Sequence, residues 1–377
     1  MNKSFRRPPP PRQVLGYQRS AQLDRLQTGA LLIIAFAVVL FLLVQARFLL
    51  ISLATAIVLF SLTSDAINFI ARLKVGPFRI PSFVASVVAL ALISAALLTL
   101  TSIILSQVNT VLATTVSYAE SAPSAIAAMF AWLGEDVQMA VFNSVKSIEV
   151  AGYLRTAAGQ AGNLMSATVL VILFVGFLFA ERIWFATKLE NLFNGDEAQA
   201  RQVGRIISTI IHRVNYYLLV KTGVSAVTGL MVFGVATLAD LELAGPLGIL
   251  TFVLNYIPNV GSIVATILVA LVTFVQTADP GATLAVFIVV TAIQFMNGSV
   301  IDPLLMGRAL RLSSFGIIIS LAFWGAVWGV PGMFLSVPIM VAMLIVCSQV
   351  PALRPLAVLL SRQGLPEPND ELEAKGD

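Results

Sequence analysis

The stretch from Gly245 to Val275, GPLGILTFVLNYIPNVGSIVATILVALVTFV, sets the architecture. A short apolar arm, Gly245 to Ile257, meets Pro258-Asn259-Val260-Gly261, and a second arm, Ser262 to Val275, runs back toward Gln276 and Asp279. Proline removes a backbone donor and frees an earlier carbonyl, while glycine permits a tight reversal. The same design recurs downstream, where Gly329-Val330-Pro331-Gly332 interrupts Ser313 to Trp328 before Met333 to Val350. Between the two pairs, Gly281 to Asn297 reads as an ordinary span. Such interruptions at membrane depth survive only where protein or a water-filled cavity satisfies the freed backbone. Whether the arms are re-entrant or fully spanning stays open at the level of charge and hydropathy.

Composition places these arms in a membrane. Of 377 residues, 58% are hydrophobic and 11% charged, against about 25% charged in soluble chains. The mean hydropathy is +0.92. So much apolar side chain cannot be hidden inside a globule of this size, which excludes a soluble enzyme. The net charge of +4 forms no basic stripe with interleaved aromatics, so no nucleic-acid partner is expected. One cysteine, Cys347, excludes an internal disulfide, and one histidine, His212, excludes multi-histidine metal sites. No metal and no cofactor is expected.

Along the chain, residues 1–29 read as a basic, disordered cytoplasmic tail bearing Arg6, Arg7, Pro8 to Pro11, Arg12, Arg19 and Arg25. Residues 30–105 read as a three-helix membrane region, with spans at Ala30 to Val44, Phe48 to Leu62 and Ser82 to Leu105, and a basic loop before a break at Gly76 to Pro81. Residues 106–163 are rich in Ala, Ser, Gln and Asn and read as an extracytoplasmic module of short helices divided at Pro123 and at Gly134 to Asp136. Residues 164–180 form a fourth span. Residues 181–221 hold Lys188, Arg201, Arg205, Arg213 and Lys221, positive flanks expected in the cytoplasm. Within them Val203, Ile206, Ile207, Ile210, Ile211, Val214 and Leu218 recur at helical spacing, predicting an amphipathic helix at the lipid surface or between subunits. Residues 222–350 begin with a fifth span, Thr222 to Ala239, and contain both broken pairs. Residues 351–377 read as a cytoplasmic acidic tail. The expected fold is all-α and polytopic, with about six regular transmembrane helices plus two broken-helix hairpins, in an inner membrane with both termini cytoplasmic.

No enzymatic motif is present. There is no P-loop, and His212 lacks the second histidine of an intramembrane metalloprotease, so neither ATP-driven transport nor catalysis is expected. Polar groups cluster at the breaks instead: Asn255, Asn259, Gln276, Gln294, Asn297 and Asp302. Polar groups at depth tend to face a bundle interior or a solvated path. Asn255, Pro258, Asn259, Gly261, Gln294, Asn297 and Asp302 are therefore the expected solute or ion pathway, with hairpin-tip amides satisfying their own backbone as the competing reading. Asp302 is expected to titrate or to pair with Arg308, or else to cap a helix at the cytoplasmic edge. Gly325 and Gly329 are spaced for close helix packing, and Gly332 with Pro338 is expected to bend the last apolar segment.

Ile257 to Gly261, Asp302-Pro303-Leu304-Leu305-Met306-Gly307-Arg308-Ala309-Leu310 and Gly329 to Pro338 occur in the order of the bacterial autoinducer-2 exporter family of transporters, which the chain resembles from Ala30 to Val350. The C-terminal half carries the motifs, and the N-terminal half matches in layout. The stretch after Leu310 departs from the family, reading Arg311-Leu312-Ser313-Ser314 in place of a leucine-histidine-proline version. The resemblance implies a secondary transporter or exporter of small polar or amphiphilic molecules, driven by protons or sodium. It also implies an elevator-like movement of the hairpin-bearing half and a homo-oligomer, with a pentamer as the implied number. A passive channel, a cation/proton antiporter and a membrane scaffold are the rival functions.

Overall fold

The computed structural model describes residues 11–72, 82–118, 122–130, 133–146, 150–306, 312–362 and 364. Among them every regular element is helical: α1 (Pro11–Gln45), α2 (Arg47–Arg72), α3 (Ser82–Tyr118), α4 (Ala122–Met129), α5 (Glu135–Lys146), α6 (Val150–Glu181), α7 (Phe185–Leu192), α8 (Glu197–Leu238), α9 (Ala244–Leu254), α10 (Val260–Thr277), α11 (Pro280–Met296), α12 (Asp302–Met306), α13 (Ser314–Trp328), α14 (Val330–Gln349) and α15 (Arg354–Leu360). The described residues hold seven helices long and apolar enough to cross a bilayer. The protein is an all-α polytopic membrane protein.

The chain divides into two units at Leu50. In the first, α1 opens with Pro11, whose missing N–H is no loss in a first helical turn. The segment read as a disordered tail is thus helical from Pro11 onward. Its apolar part, Gln27–Gln45, exposes Leu31, Leu32, Ile33, Ile34 and Phe36, a surface suited to lipid contact.

In the second unit, α8 organises the packing. It runs unbroken for 42 residues, about 63 Å, so the amphipathic segment and the fifth span are one helix rather than two elements. Its start is set by Asp196, whose carboxylate accepts from the N–H groups of Ala198 and Gln199. One apolar cluster joins Val214 and Tyr217 of α8 to Val337, Met340, Val341 and Leu344 of α14, with Ala357 and Leu360 of α15. A second joins Val232 and Ala236 of α8 to Leu247 of α9, Val269 of α10 and Val286 and Val290 of α11. A third packs Ala56, Ala89, Val171, Val175 and Phe179 from α2, α3 and α6. Between the first two clusters, α8 buries Lys221, Ser225 and Thr228.

Both interrupted segments are helical hairpins. The base of the first, α9–α10, is closed by Gln276, which donates to the carbonyl of Asp240 and accepts from the N–H of Glu242. That assigns Gln276 to the hairpin base, away from the other pathway amides. At 11 residues, α9 is about 16 Å long, short of a hydrocarbon core of ~30 Å. By length, α9 alone is too short to span such a core. At the base of the second hairpin, α13–α14, Leu312 before α13 bridges Ser361 just after α15. Arg308, Arg311, the break at Gly76 to Pro81 and the acidic tail from Glu367 lie outside the described residues.

Candidate functional site

The two hairpin tips share one construction. A Cβ built on Gly261 would stand 1.7 Å from the Leu254 carbonyl oxygen, and one on Gly332 would stand 2.0 Å from that of Trp324. In each case the first turn of the returning arm lies against the last turn of the outgoing arm, an approach only glycine allows. Gly325 faces Met333 across the second tip, whereas Gly329 has open space around its Cβ position and a φ of 67°. Close packing therefore explains Gly325 and not Gly329, whose role is its backbone conformation. Pro338 lies inside the continuous helix α14, where its missing N–H leaves the Phe334 carbonyl without its helical bond. Asn259 reaches a φ of 60° at the first tip, and its side chain is exposed. Pro258, just before it, accepts the Val260 N–H on its carbonyl at 2.6 Å. The tips are linked by Tyr256, whose ring stacks on Phe334 with centroids 5.4 Å apart.

One turn of α8 supplies three partners to this region. Lys221 Nζ lies 2.9 Å from Asp302 Oδ2, the Thr222 hydroxyl meets the Tyr256 hydroxyl at 2.7 Å, and Ser225 Oγ accepts from Asn255 Nδ2 at 3.0 Å. Asn255 Oδ1 in turn accepts from Asn297 Nδ2 at 3.0 Å. A chain of polar side chains thus runs from α8 through the end of α9 to the end of α11, with Ser225, Asn255 and Asn297 all buried. Of the predicted pathway residues, Asn255 and Asn297 are brought into direct contact. Asn259 is not among them.

The end of α11 explains how Gln294, Asn297 and Asp302 come to share a face. Residues 297–301 form a π turn, closed by the Asp302 N–H donating to the Asn297 carbonyl. Pro303 has no N–H, and its ring crowds the carbonyl four residues back, which a wider turn relieves. At about 100° per residue, a regular helix would set Asp302 some 80° around the axis from Gln294; the extra residue brings it to within roughly 20°. The Gln294 amide oxygen and nitrogen, Asn297 Oδ1 and Asp302 Oδ1 are buried with no hydrogen-bond partner among the described residues.

Asp302 pairs with Lys221, and the expected partner Arg308 lies outside the described residues. Lys221, read from the sequence as a flanking cation, is a buried ion-pair partner whose side chain is 4% exposed. Sequence reasoning missed it, together with Ser225 and Thr222. A signal was present, since Val214, Tyr217, Lys221, Val224, Thr228 and Val232 follow three- and four-residue spacing and the buried face of α8 runs straight through the lysine.

The family model for AI-2E family transporters matches residues 30–352, a stretch that holds both interrupted hairpins and the buried amide chain. The chain belongs to the AI-2E transporter family. Proteins similar to the chain include the AI-2 transport protein TqsA of Escherichia coli, 34% identical over 204 residues, which are 54% of this chain and 57% of TqsA. A transport protein of Borreliella burgdorferi is 31% identical over 221 residues, 57% of this chain and 60% of the relative. One of Haemophilus influenzae is 32% identical over 197 residues, 52% and 56% of the two chains. The matched stretch spans a little over half the length of each of these relatives.

Proposed function

We propose that this protein is a secondary transporter of small polar or amphiphilic molecules across the bacterial inner membrane, working by alternating access with both termini in the cytoplasm. The observation that carries the reading is the buried chain Ser225–Asn255–Asn297 at the junction of two interrupted hairpins. Polar groups that expensive to bury are kept at membrane depth where they meet a solute. Each amide bond in the chain contributes about 1 kcal/mol net, so a solute offering equivalent hydrogen bonds can replace it without a large barrier. The hairpins move relative to α8 in an elevator-like step, with the tips at Gly261 and Gly332 moving as rigid units because their arms are in backbone contact. Proton or sodium coupling drives the cycle in a homo-oligomer, for which the family layout implies a pentamer. No chemical step is required of the protein.

The name of the Escherichia coli relative makes AI-2 the first cargo to test. The purified chain is reconstituted in liposomes, and flux of AI-2 and a panel of small polar metabolites is measured under imposed proton or sodium gradients. Gradient-dependent flux that falls at least about tenfold in Asn255→Leu is expected, the loss of one buried hydrogen bond to solute being worth about 1.4 kcal/mol or more. Flux equal to empty liposomes across the panel refutes the reading. Unitary conductance steps in planar bilayers would assign a passive channel instead.

A further inference from the structure

Beyond Glu181, which ends the apolar run of α6, a 3-10 turn (Arg182–Trp184) leads into α7. Ile183, Trp184, Phe185 and Leu192 all stand exposed along this stretch. Tryptophan with apolar neighbours at the end of a span belongs at headgroup level, where one side of the ring meets lipid. Leu189, on the same face of α7 as Phe185 and Leu192, is turned to α8 instead: a Cβ built on Gly204 would have its Cδ2 3.7 Å away. That contact holds the apolar collar beside the first three turns of α8. There Ala198, Arg201, Gly204, Arg205 and Ser208 line an open cavity of about 700 Å³. Their three- and four-residue spacing puts them on one helix face, so the two arginines flank the space that Gly204 leaves without a side chain.

Among the described residues no carboxylate lines this cavity. The acids nearby are engaged elsewhere: Glu181 pairs with Lys188, and Asp196 caps α8 through the N–H groups of Ala198 and Gln199. Glu197 stands 3.5 Å from Arg201 with both side chains more than 70% exposed, a pairing that contributes little in water and yields to a stronger acceptor. Arg205 has no ion-pair partner among the described residues. A guanidinium presents a planar fork of N–H donors that matches two oxygens of one phosphate. A zwitterionic headgroup would bring an ammonium with no acid in the cavity to receive it, so a net negative headgroup fits best. The collar beside it suits acyl chains, since α7 is 8 residues, about 12 Å, and each leaflet holds about 15 Å of hydrocarbon. We infer that the cavity between Arg201 and Arg205 is a headgroup site for an anionic phospholipid, whose acyl chains lie along Ile183, Trp184, Phe185 and Leu192. The inference does not depend on the transport reading, because lipid binding is measured without flux.

The test uses the full chain, delipidated in a neutral detergent and titrated with phosphatidylglycerol, phosphatidylcholine or inorganic phosphate. Bound lipid is counted by native mass spectrometry, and the thermal unfolding midpoint is followed in parallel. Phosphatidylglycerol should bind at least about tenfold more tightly than phosphatidylcholine, and added salt should weaken it. Arg201→Gln and Arg205→Gln should each weaken binding about fivefold, the share of one cation at a membrane surface. Gly204→Leu fills the floor of the cavity without altering charge and should weaken it as well. Glu197→Gln should strengthen it, because Arg201 loses its competing acid. Arg354, an exposed cation at the start of α15, is the control, and Arg354→Gln should change nothing. Equal binding of the two lipids, or anionic binding retained in both Arg205→Gln and Gly204→Leu, overturns the inference. A loss in Arg354→Gln as large as in Arg205→Gln overturns it in favour of general surface charge. Inorganic phosphate raising the midpoint as far as phosphatidylglycerol would assign a soluble anion instead, and dissociation of an oligomer in Arg205→Gln with lipid binding unchanged would assign the face to a second copy of the chain.

Discussion

Replacing Gly261 by alanine tests the backbone contact that shapes the first hairpin. The added Cβ would fall 1.7 Å from the Leu254 oxygen and 2.6 Å from its carbonyl carbon, so the arms must part by roughly 1.5 Å to restore ordinary contact. Asn255 follows Leu254 directly, and its two 3.0 Å bonds, to Ser225 and from Asn297, would stretch beyond hydrogen-bonding distance. Two buried bonds at about 1–3 kcal/mol each, with overpacking of about 1–3 kcal/mol, give an expected loss of about 3–9 kcal/mol. That is a large fraction of the ~5–15 kcal/mol typical of a folded domain. Gly234→Ala is the control. It lies within α8 with nothing near its Cβ position, so the same change there should be neutral or stabilising by up to about 1 kcal/mol. Both variants are compared by denaturant unfolding in detergent, membrane fractionation and liposome flux. A Gly261→Ala protein within about 1 kcal/mol of wild type, with unchanged flux, would show that the arms do not meet through their backbones.

Gly332→Ala should behave like Gly261→Ala, since its Cβ meets the Trp324 oxygen at 2.0 Å, whereas Gly325→Ala should be milder because its neighbour is the flexible end of Met333; equal unfolding midpoints for the two would contradict this. Lys221→Met and Asp302→Asn should each destabilise by about 3 kcal/mol by leaving the partner uncompensated, and the double variant by about 1 kcal/mol or less. Additive losses in that thermodynamic cycle would show that the 2.9 Å pair is not coupled. Tyr256→Phe removes the 2.7 Å bond to Thr222 and keeps the stack on Phe334, so unfolding should shift by about 1 kcal/mol. A loss above about 3 kcal/mol would mean that the hydroxyl bonds are cooperative.

The interruptions were legible because proline and glycine act on their own backbone. Pro258 with Gly261, and Pro331 with Gly332, stop and restart helices whatever surrounds them. Apolar runs gave the helices for an equally local reason, but not their ends. The boundary expected at Lys221 and Thr222 is absent because nothing in that stretch breaks helix, and a change from amphipathic to apolar periodicity leaves the hydrogen-bond ladder intact. Asn255 and Asn297 could be named as polar groups at depth, though their bond to each other could not, since it joins residues 42 positions apart.

The letters alone were enough for an all-helical membrane chain, two hairpins broken at known residues, and a handful of amides out of place in lipid. How those amides are used emerged from tertiary packing. A lysine at the head of an apolar run has the same local pattern whether it flanks a membrane or is buried against a carboxylate 81 residues away. Likewise, whether Asp302 faces Asn297 depends on one extra residue in a single helical turn. Backbone interruptions follow from the covalent chemistry of single residues, whereas the pairing of buried charges follows from which helices pack together, and that is a property of the whole chain.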